Sequence, residues 1–185
     1  ILLGKNKEEL GGSEYLKVRG IGKRGPCPDI DLNQEKRLID FLVETAHAGL
    51  LQSAHDCSEG GLAITLAESC IIAKGKELGA DIDISELVKR DRVSLEALLF
   101  GETQTRVVIS VREEDVKNVI ANVKQYHIPC ALIGEVSNKT LHMSNGKNPL
   151  LALSSPKIAN LWRTGVKKFV SFSFQPGFCP EASGQ

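Results

Sequence analysis

Apolar positions in this chain recur at two spacings, and segments of one kind interleave with segments of the other. Leu38, Leu42, Thr45, Ala46, Gly49 and Leu50 follow a helical repeat, which predicts a helix from Asp31 to about Leu50 with Asp31 as its cap. Gln52 to Asp56 reads as a short strand, and the run from Leu62 to about Ala73 is apolar nearly all round, predicting a helix buried on both sides. Ala80-Asp81-Ile82-Asp83-Ile84 alternates strictly, as a half-exposed strand does. A short helix over Leu95–Phe100 should precede a buried strand over Arg106–Val111. Glu113-Glu114-Asp115 places negative charge at the start of a helix whose Val116, Val119, Ile120 and Val123 form one stripe. Ala131 to Val136 and Thr140 to Met143 are expected to pair as a hairpin around Ser137-Asn138-Lys139. The last helix, from Pro156 to about Val170, should bury Ile158, Leu161, Trp162, Gly165, Val166 and Phe169 on one face, with Lys167 and Lys168 suiting its dipole. Helices among strands predict an α+β fold, a mixed β-sheet flanked by helices, over residues 31–170. Residues 1–30, rich in Gly, Lys and Pro, read as a connecting segment, and 171–185 as a poorly patterned tail.

Composition narrows the function. At 185 residues the chain can bury roughly 70% of its unfolded surface, enough for one core. Lys and Arg number 23, against 23 Asp and Glu, so no basic field for nucleic acid is expected. No apolar run approaches the roughly 18 to 20 residues that cross a bilayer, so no membrane is expected as a partner. Cys27, Cys57, Cys70, Cys130 and Cys179 are scattered, without CxxC pairs, and read as thiols of a reducing, cytoplasmic compartment. Ile1-Leu2-Leu3-Gly4 is an apolar run with no initiator Met, as if a longer polypeptide had been cut inside a strand.

The chemistry concentrates in His55-Asp56-Cys57-Ser58-Glu59-Gly60-Gly61-Leu62. Two glycines where a helix begins let the backbone of Gly60 and Gly61 approach an anion, favoured there by the helix dipole. Asp56 and Glu59 flank the same turn, so an anion would arrive with a divalent cation. From spacing alone Asp56 is placed equally to hold that cation or to cap the helix. His55, its neighbour in a strand, points to the opposite face and reads as a hydrogen-bonding or core residue. Glu102-Thr103-Gln104 gathers a carboxylate, a hydroxyl and an amide ahead of a strand. That triplet suits either polar ligand recognition or a surface turn in which Arg106 pairs with Glu102. Gly20-Ile21-Gly22-Lys23-Arg24-Gly25 matches a dinucleotide pattern by letters, but Pro26-Cys27-Pro28 follows where a helix should open, so it reads as a loop.

Three blocks, Leu10-Gly11-Gly12-Ser13-Glu14-Tyr15, His55 to Leu62, and Phe100-Gly101-Glu102-Thr103-Gln104-Thr105-Arg106, stand in an order that resembles the phosphoribosylformylglycinamidine synthase family. The likeness is to the C-terminal lobe of the second half of its synthetase part, within the aminoimidazole ribonucleotide synthase superfamily, and runs from about Ile1 to Lys168. Cys57 stands where the family usually has an aliphatic residue, and Glu59 where Asp is commoner. The resemblance implies a lobe of an ATP-dependent ligase of purine biosynthesis. It would act on formylglycinamide ribonucleotide, with ammonia from a glutaminase component. It further implies ATP or ADP with Mg2+ as cofactor, Asp56 as the metal-holding carboxylate, and Glu102, Thr103 and Gln104 as ligand contacts. The missing upstream lobes would be partners, and the isolated chain inactive. Two other implied readings are a lobe of aminoimidazole ribonucleotide synthase or selenophosphate synthase, and a non-catalytic interaction module.

Overall fold

The computed structural model describes residues 1–22, 24–72 and 78–173, the stretch 166–173 as backbone alone. In chain order the elements are β1 (Leu2–Leu3), α1 (Glu14–Val18), α2 (Leu32–His47), β2 (Leu51–Asp56), α3 (Gly61–Ser69), β3 (Leu78–Asp83), α4 (Ser85–Asp91), α5 (Leu95–Phe100), β4 (Val107–Val111), α6 (Val116–Gln125), β5 (Cys130–Ala131), β6 (Gly134–Asn138), β7 (Thr140–Asn145), β8 (Asn148–Ser154) and α7 (Ser155–Ser173). The fold is α+β, with mixed strand directions and flanking helices.

Asp31 starts α2 as expected: its carboxylate accepts the N–H groups of Asn33 at 2.9 Å and Gln34 at 3.2 Å. Leu38, Phe41 and Thr45, successive turns apart, are its buried face. In α3, Leu62, Thr65 and Leu66 are buried but Ile64 is exposed. The expected two-sided burial is therefore one-sided: α3 packs on α5, α7 and the end of β2, and Ile64 on its other side is exposed. The last residue of that expected helix, Ala73, lies outside the described residues.

The first sheet has the order β2-β4-β1-β5 and is antiparallel throughout. Successive residues of a strand face opposite ways. Leu3 accordingly enters a core with Leu38, Phe41, Val119 and Val123, while Leu2 enters another with Leu62, Leu66, Leu98 and Leu141. Within residues 1–30, then, Leu2–Leu3 is an interior strand and Glu14–Val18 a helix.

The second sheet has the order β6-β3-β7-β8. β3 runs antiparallel to β6 and parallel to β7. The expected hairpin of residues 131–136 with 140–143 is therefore not formed. Residues 134–136 of the first arm and 141–143 of the second pair with β3, which lies between them and carries Ile82 into the core, while Ala131 pairs with Leu2 of β1. The hairpin that does form joins β7 to β8 through Gly146-Lys147, with Gly146 at φ 59°. On α7, Ile158 and Ala159 are buried whereas Leu161 and Trp162 are exposed, so its expected apolar face is divided. The side chains of Val166, Lys167, Lys168 and Phe169, and the tail beyond residue 173, lie outside the described residues.

Candidate functional site

The polar end of β2 leads into the glycine turn. Cys57 donates its N–H to the Arg106 carbonyl at 2.9 Å, and Gly61 donates to the Ser58 carbonyl at 3.0 Å. Gly60, with left-handed backbone at φ 80°, is the cap of α3. At Gly61 a Cβ would lie 2.5 Å from the Gly101 carbonyl oxygen and 2.9 Å from that of Leu99. Its lack of a side chain is what lets α3 begin against the end of α5. Thr65 reaches back with its hydroxyl to the carbonyls of Asp56 (3.1 Å) and Gly61 (3.0 Å), tying α3 to the strand end.

Glu102 closes this corner. Its Oε1 accepts the N–H of Gly60 at 3.0 Å and the N–H of Glu14 at 2.9 Å. Glu14 is the first residue of α1, whose cap Ser13 accepts from Leu16 at 3.4 Å. One carboxylate thus sits at the start of two helices, where their dipoles favour negative charge. Tyr15 of α1 stacks on Phe100 at 4.9 Å, so all three sequence blocks assemble here. The N–H groups of Gly60 and Gly61 have Glu102 and Ser58 as partners within the chain.

The inner side of the turn is organised by Arg106, which is 2% exposed. Its Nε donates to the Thr103 carbonyl at 3.1 Å, and its two terminal nitrogens to the Gly101 carbonyl and, at 2.6 Å, to Asn6 Oδ1. Arg106 therefore does not pair with Glu102: the guanidinium turns into the core and the carboxylate toward the helix starts. Burial pulls the Arg106 pKa below the usual value, opposed by the nearby Cys57, Glu9 and Asp91.

Asn6, also buried, passes the chain on: its Nδ2 and backbone N–H both reach Asp91 Oδ2, at 2.6 and 3.2 Å. Asp91 takes Arg90 on both oxygens at 2.7 Å, and Arg90 also holds the Gly4 carbonyl at 3.0 Å. Burial alone would raise the Asp91 carboxyl pKa, but the bonds from Arg90 and Asn6 outweigh it and leave the group below the ordinary value. Sequence reasoning missed Asn6 and Asp91, which belong to no motif and lie 85 residues apart.

The Glu-Thr-Gln triplet divides its roles. Glu102 faces the two helix starts, while Thr103 is buried with its hydroxyl lacking a partner among the described residues. Gln104 is exposed, its Nε2 lying 3.4 Å from the Glu102 carbonyl. Asp56 is exposed too, its side chain at 73%. His55, behind it, sets Nε2 3.3 Å from Glu68, whose other oxygen accepts the Trp162 indole N–H at 3.3 Å. The hydrogen bond of the His55 ring is the one between Nδ1 and the Asp56 carbonyl, at 2.9 Å. Among the described residues no three His, Cys, Asp or Glu side chains converge on a metal position. Magnesium commonly binds through one or two carboxylates plus phosphate and water. The single Asp56 carboxylate fits an ion brought in by a phosphorylated ligand, and does not amount to a self-sufficient cage. Cys57 and Cys70 are buried thiols whose pKa burial pushes up, which makes them poor nucleophiles. No helix among the described residues is long and apolar enough to cross a membrane.

Residues 1–143 match the model of the family described as AIR synthase related protein, C-terminal domain. The chain is 36% identical over 167 residues to the phosphoribosylformylglycinamidine synthase subunit PurL of Thermoanaerobacter sp. (strain X514), covering 90% of this chain and 22% of that protein. It is 38% identical over 168 residues to the subunit of the same name from Caldanaerobacter subterraneus subsp. tengcongensis, with the same coverages. The chain thus spans about a fifth of the length of these relatives. Among solved structures, T. maritima PurL complexed with FGAR superposes with a TM-score of 0.70 at 19% identity, covering 85% of this chain and 27% of that one. T. maritima PurL complexed with ATP gives 0.63 at 18% identity, covering 85% and 24%. At such identities the structures establish a shared fold.

Proposed function

The chain belongs to the AIR synthase related protein family as a C-terminal domain, and from that membership we propose that it serves as the C-terminal lobe of a PurL-type synthetase. The whole enzyme would convert formylglycinamide ribonucleotide, ATP and glutamine-derived ammonia to formylglycinamidine ribonucleotide, ADP and phosphate, in the cytoplasm. The amide oxygen of the ribonucleotide takes the γ-phosphoryl group of ATP and ADP departs. Ammonia then adds to the activated carbon and expels phosphate. Two PurL subunits at 36–38% identity over 90% of the chain support this reading, as do the complexes of T. maritima PurL, of like fold, with ATP and with FGAR.

The observation that carries the reading is the Glu102 carboxylate shared by Gly60 and Glu14, because it draws into one corner the three blocks on which the family likeness rests. On this reading Gln104 offers its amide to the ligand, and Glu102 and Thr103 shape the turn behind it. The Gly60–Gly61 backbone forms the floor, and Asp56 meets the magnesium of a bound nucleotide. The upstream lobes of the same polypeptide and a glutaminase component complete the machinery. One wall of a cleft neither excludes water nor aligns reactants, so the lobe alone turns over no ATP. The test is phosphate release with ribonucleotide, ATP and an ammonium salt. The full-length polypeptide carrying this lobe should release phosphate only when the ribonucleotide is present, and the 185-residue chain should release none. Release by the full-length polypeptide that is indifferent to the ribonucleotide would overturn the reading.

A further inference from the structure

Thr105 is a β-branched residue with left-handed backbone, φ 61°, a conformation that such side chains rarely adopt and that persists only where the surroundings over-determine it. The surroundings here are specific. Gly4, itself at φ 91°, makes room for it: a Cβ on Gly4 would lie 2.1 Å from the Thr105 carbonyl oxygen. The Thr105 hydroxyl donates at 2.7 Å to Oε2 of Glu35, 70 residues earlier in the first turn of α2. On the inner side Arg106 holds the carbonyls of Gly101 and Thr103. Gln104 is therefore suspended between a buried residue and a latched one, and is itself exposed. Rotation about φ of residue 105 swings everything on its N-terminal side relative to β4, so the sign of that one angle sets where Gln104 points.

On the reading of Gln104 as a ligand contact given above, we propose that Thr105 and Glu35 are positioning residues. Their hydrogen bond holds residue 105 left-handed and so keeps the Gln104 amide turned outward. Without that bond the steric preference of a β-branched residue draws 105 back toward negative φ. The bond also couples the start of α2 to the turn, so a shift of α2 is felt at Gln104.

The test uses the isotopically labelled 185-residue chain and requires no ligand. In the wild type residue 105 should show the strong intraresidue HN–Hα contact of positive φ, and Gln104 one sharp pair of side-chain amide signals. Thr105→Val and Glu35→Ala should lose the first and average the second, while Thr105→Ser and Glu35→Gln, which keep a donor and an acceptor, restore both. Thr105→Gly tolerates positive φ without strain and should fold normally, yet still average the Gln104 signals. In the full-length polypeptide, loss of one such hydrogen bond should weaken formylglycinamide ribonucleotide binding about five- to tenfold for the Val and Ala variants, with ATP affinity unchanged. Wild-type signals at 105 and 104 in Thr105→Val and Glu35→Ala would overturn the proposal. A wild-type polypeptide that binds no ribonucleotide would instead sink the functional reading, since the latch is read without it.

Discussion

The carboxylate of Glu102 accepts the backbone N–H of Gly60 at 3.0 Å across 42 residues of sequence, so the polar triplet and the glycine turn are one piece of structure. The same oxygen takes the N–H of Glu14. A helix leaves its first N–H groups without internal partners, and here a single side chain satisfies donors at two helix starts. The corner therefore carries a negative charge that is already installed among backbone donors.

Glu102→Ala should strip both donors of their acceptor and cost about 1 to 3 kcal/mol of stability. Urea unfolding reads the loss, and amide exchange localises it, with Gly60 and Glu14 deprotected ahead of α2. Glu102→Gln keeps an acceptor and should lose less. Unchanged protection at Gly60 in the Ala variant would contradict the clamp.

Arg106→Met removes a guanidinium that serves the Thr103 and Gly101 carbonyls and Asn6. Three buried acceptors lose their donor together, so the expected cost is on the order of 3 kcal/mol. Arg106→Lys should recover only part of it, because one ammonium cannot reproduce the planar fork. Denaturation midpoints of the three proteins should fall in the order Arg, Lys, Met.

Asp91 makes stability depend on pH in a definite direction. Its folded pKa lies below the reference 3.8, so just below that value the unfolded chain binds more protons than the folded one. The stabilisation is complete above the unfolded pKa and is lost as pH falls through the folded one. Urea midpoints measured from about pH 5 to about pH 2.5 should fall more steeply in the wild type than in Asp91→Asn. Parallel acid limbs would remove Asp91 from the account.

Asp56→Asn should leave the fold within about 0.5 kcal/mol of wild type, because the side chain is exposed. In the full-length polypeptide it should weaken retention of magnesium nucleotide, since a hard anionic oxygen is lost where magnesium prefers one. Bound adenine nucleotide per molecule, measured beside the melting temperature, decides. Equal nucleotide content in the two proteins would take Asp56 out of the site.

Local signals were legible where a single segment carries them. Asp31 as a cap, the Leu38 repeat of α2, and the Val107–Val111 strand could all be read from neighbours within a few residues. Pairing was not, because alternation marks a strand without naming its neighbours. Residues 131–136 and 140–143 looked like a hairpin, yet the strands that form there, 134–138 and 140–145, both pair with β3. The hairpin that does form turns at Gly146-Lys147, a glycine-first pair that favours such a turn without naming the strands it joins. The same limit governs the site. The Glu-Thr-Gln triplet stood out by composition, but its division into an inward Thr103 and an outward Gln104 depends on Arg106, whose partners include Asn6 at a separation of 100 residues.

The insertion of β3 between β6 and β7 bears on how the chain is made. Emerging from a ribosome, β3 precedes both of its neighbours, and α4, α5, β4, α6 and β5 must follow before either arrives. Until then its two edges have no ladder partner, and an unpaired strand awaiting distant segments folds late and is exposed to wrong association. The charges of Asp81 and Asp83, alternating with Ala80 and Ile82 along it, disfavour stacking of one nascent copy on another during that interval. The acids in β3 thus guard the strand before they decorate a surface.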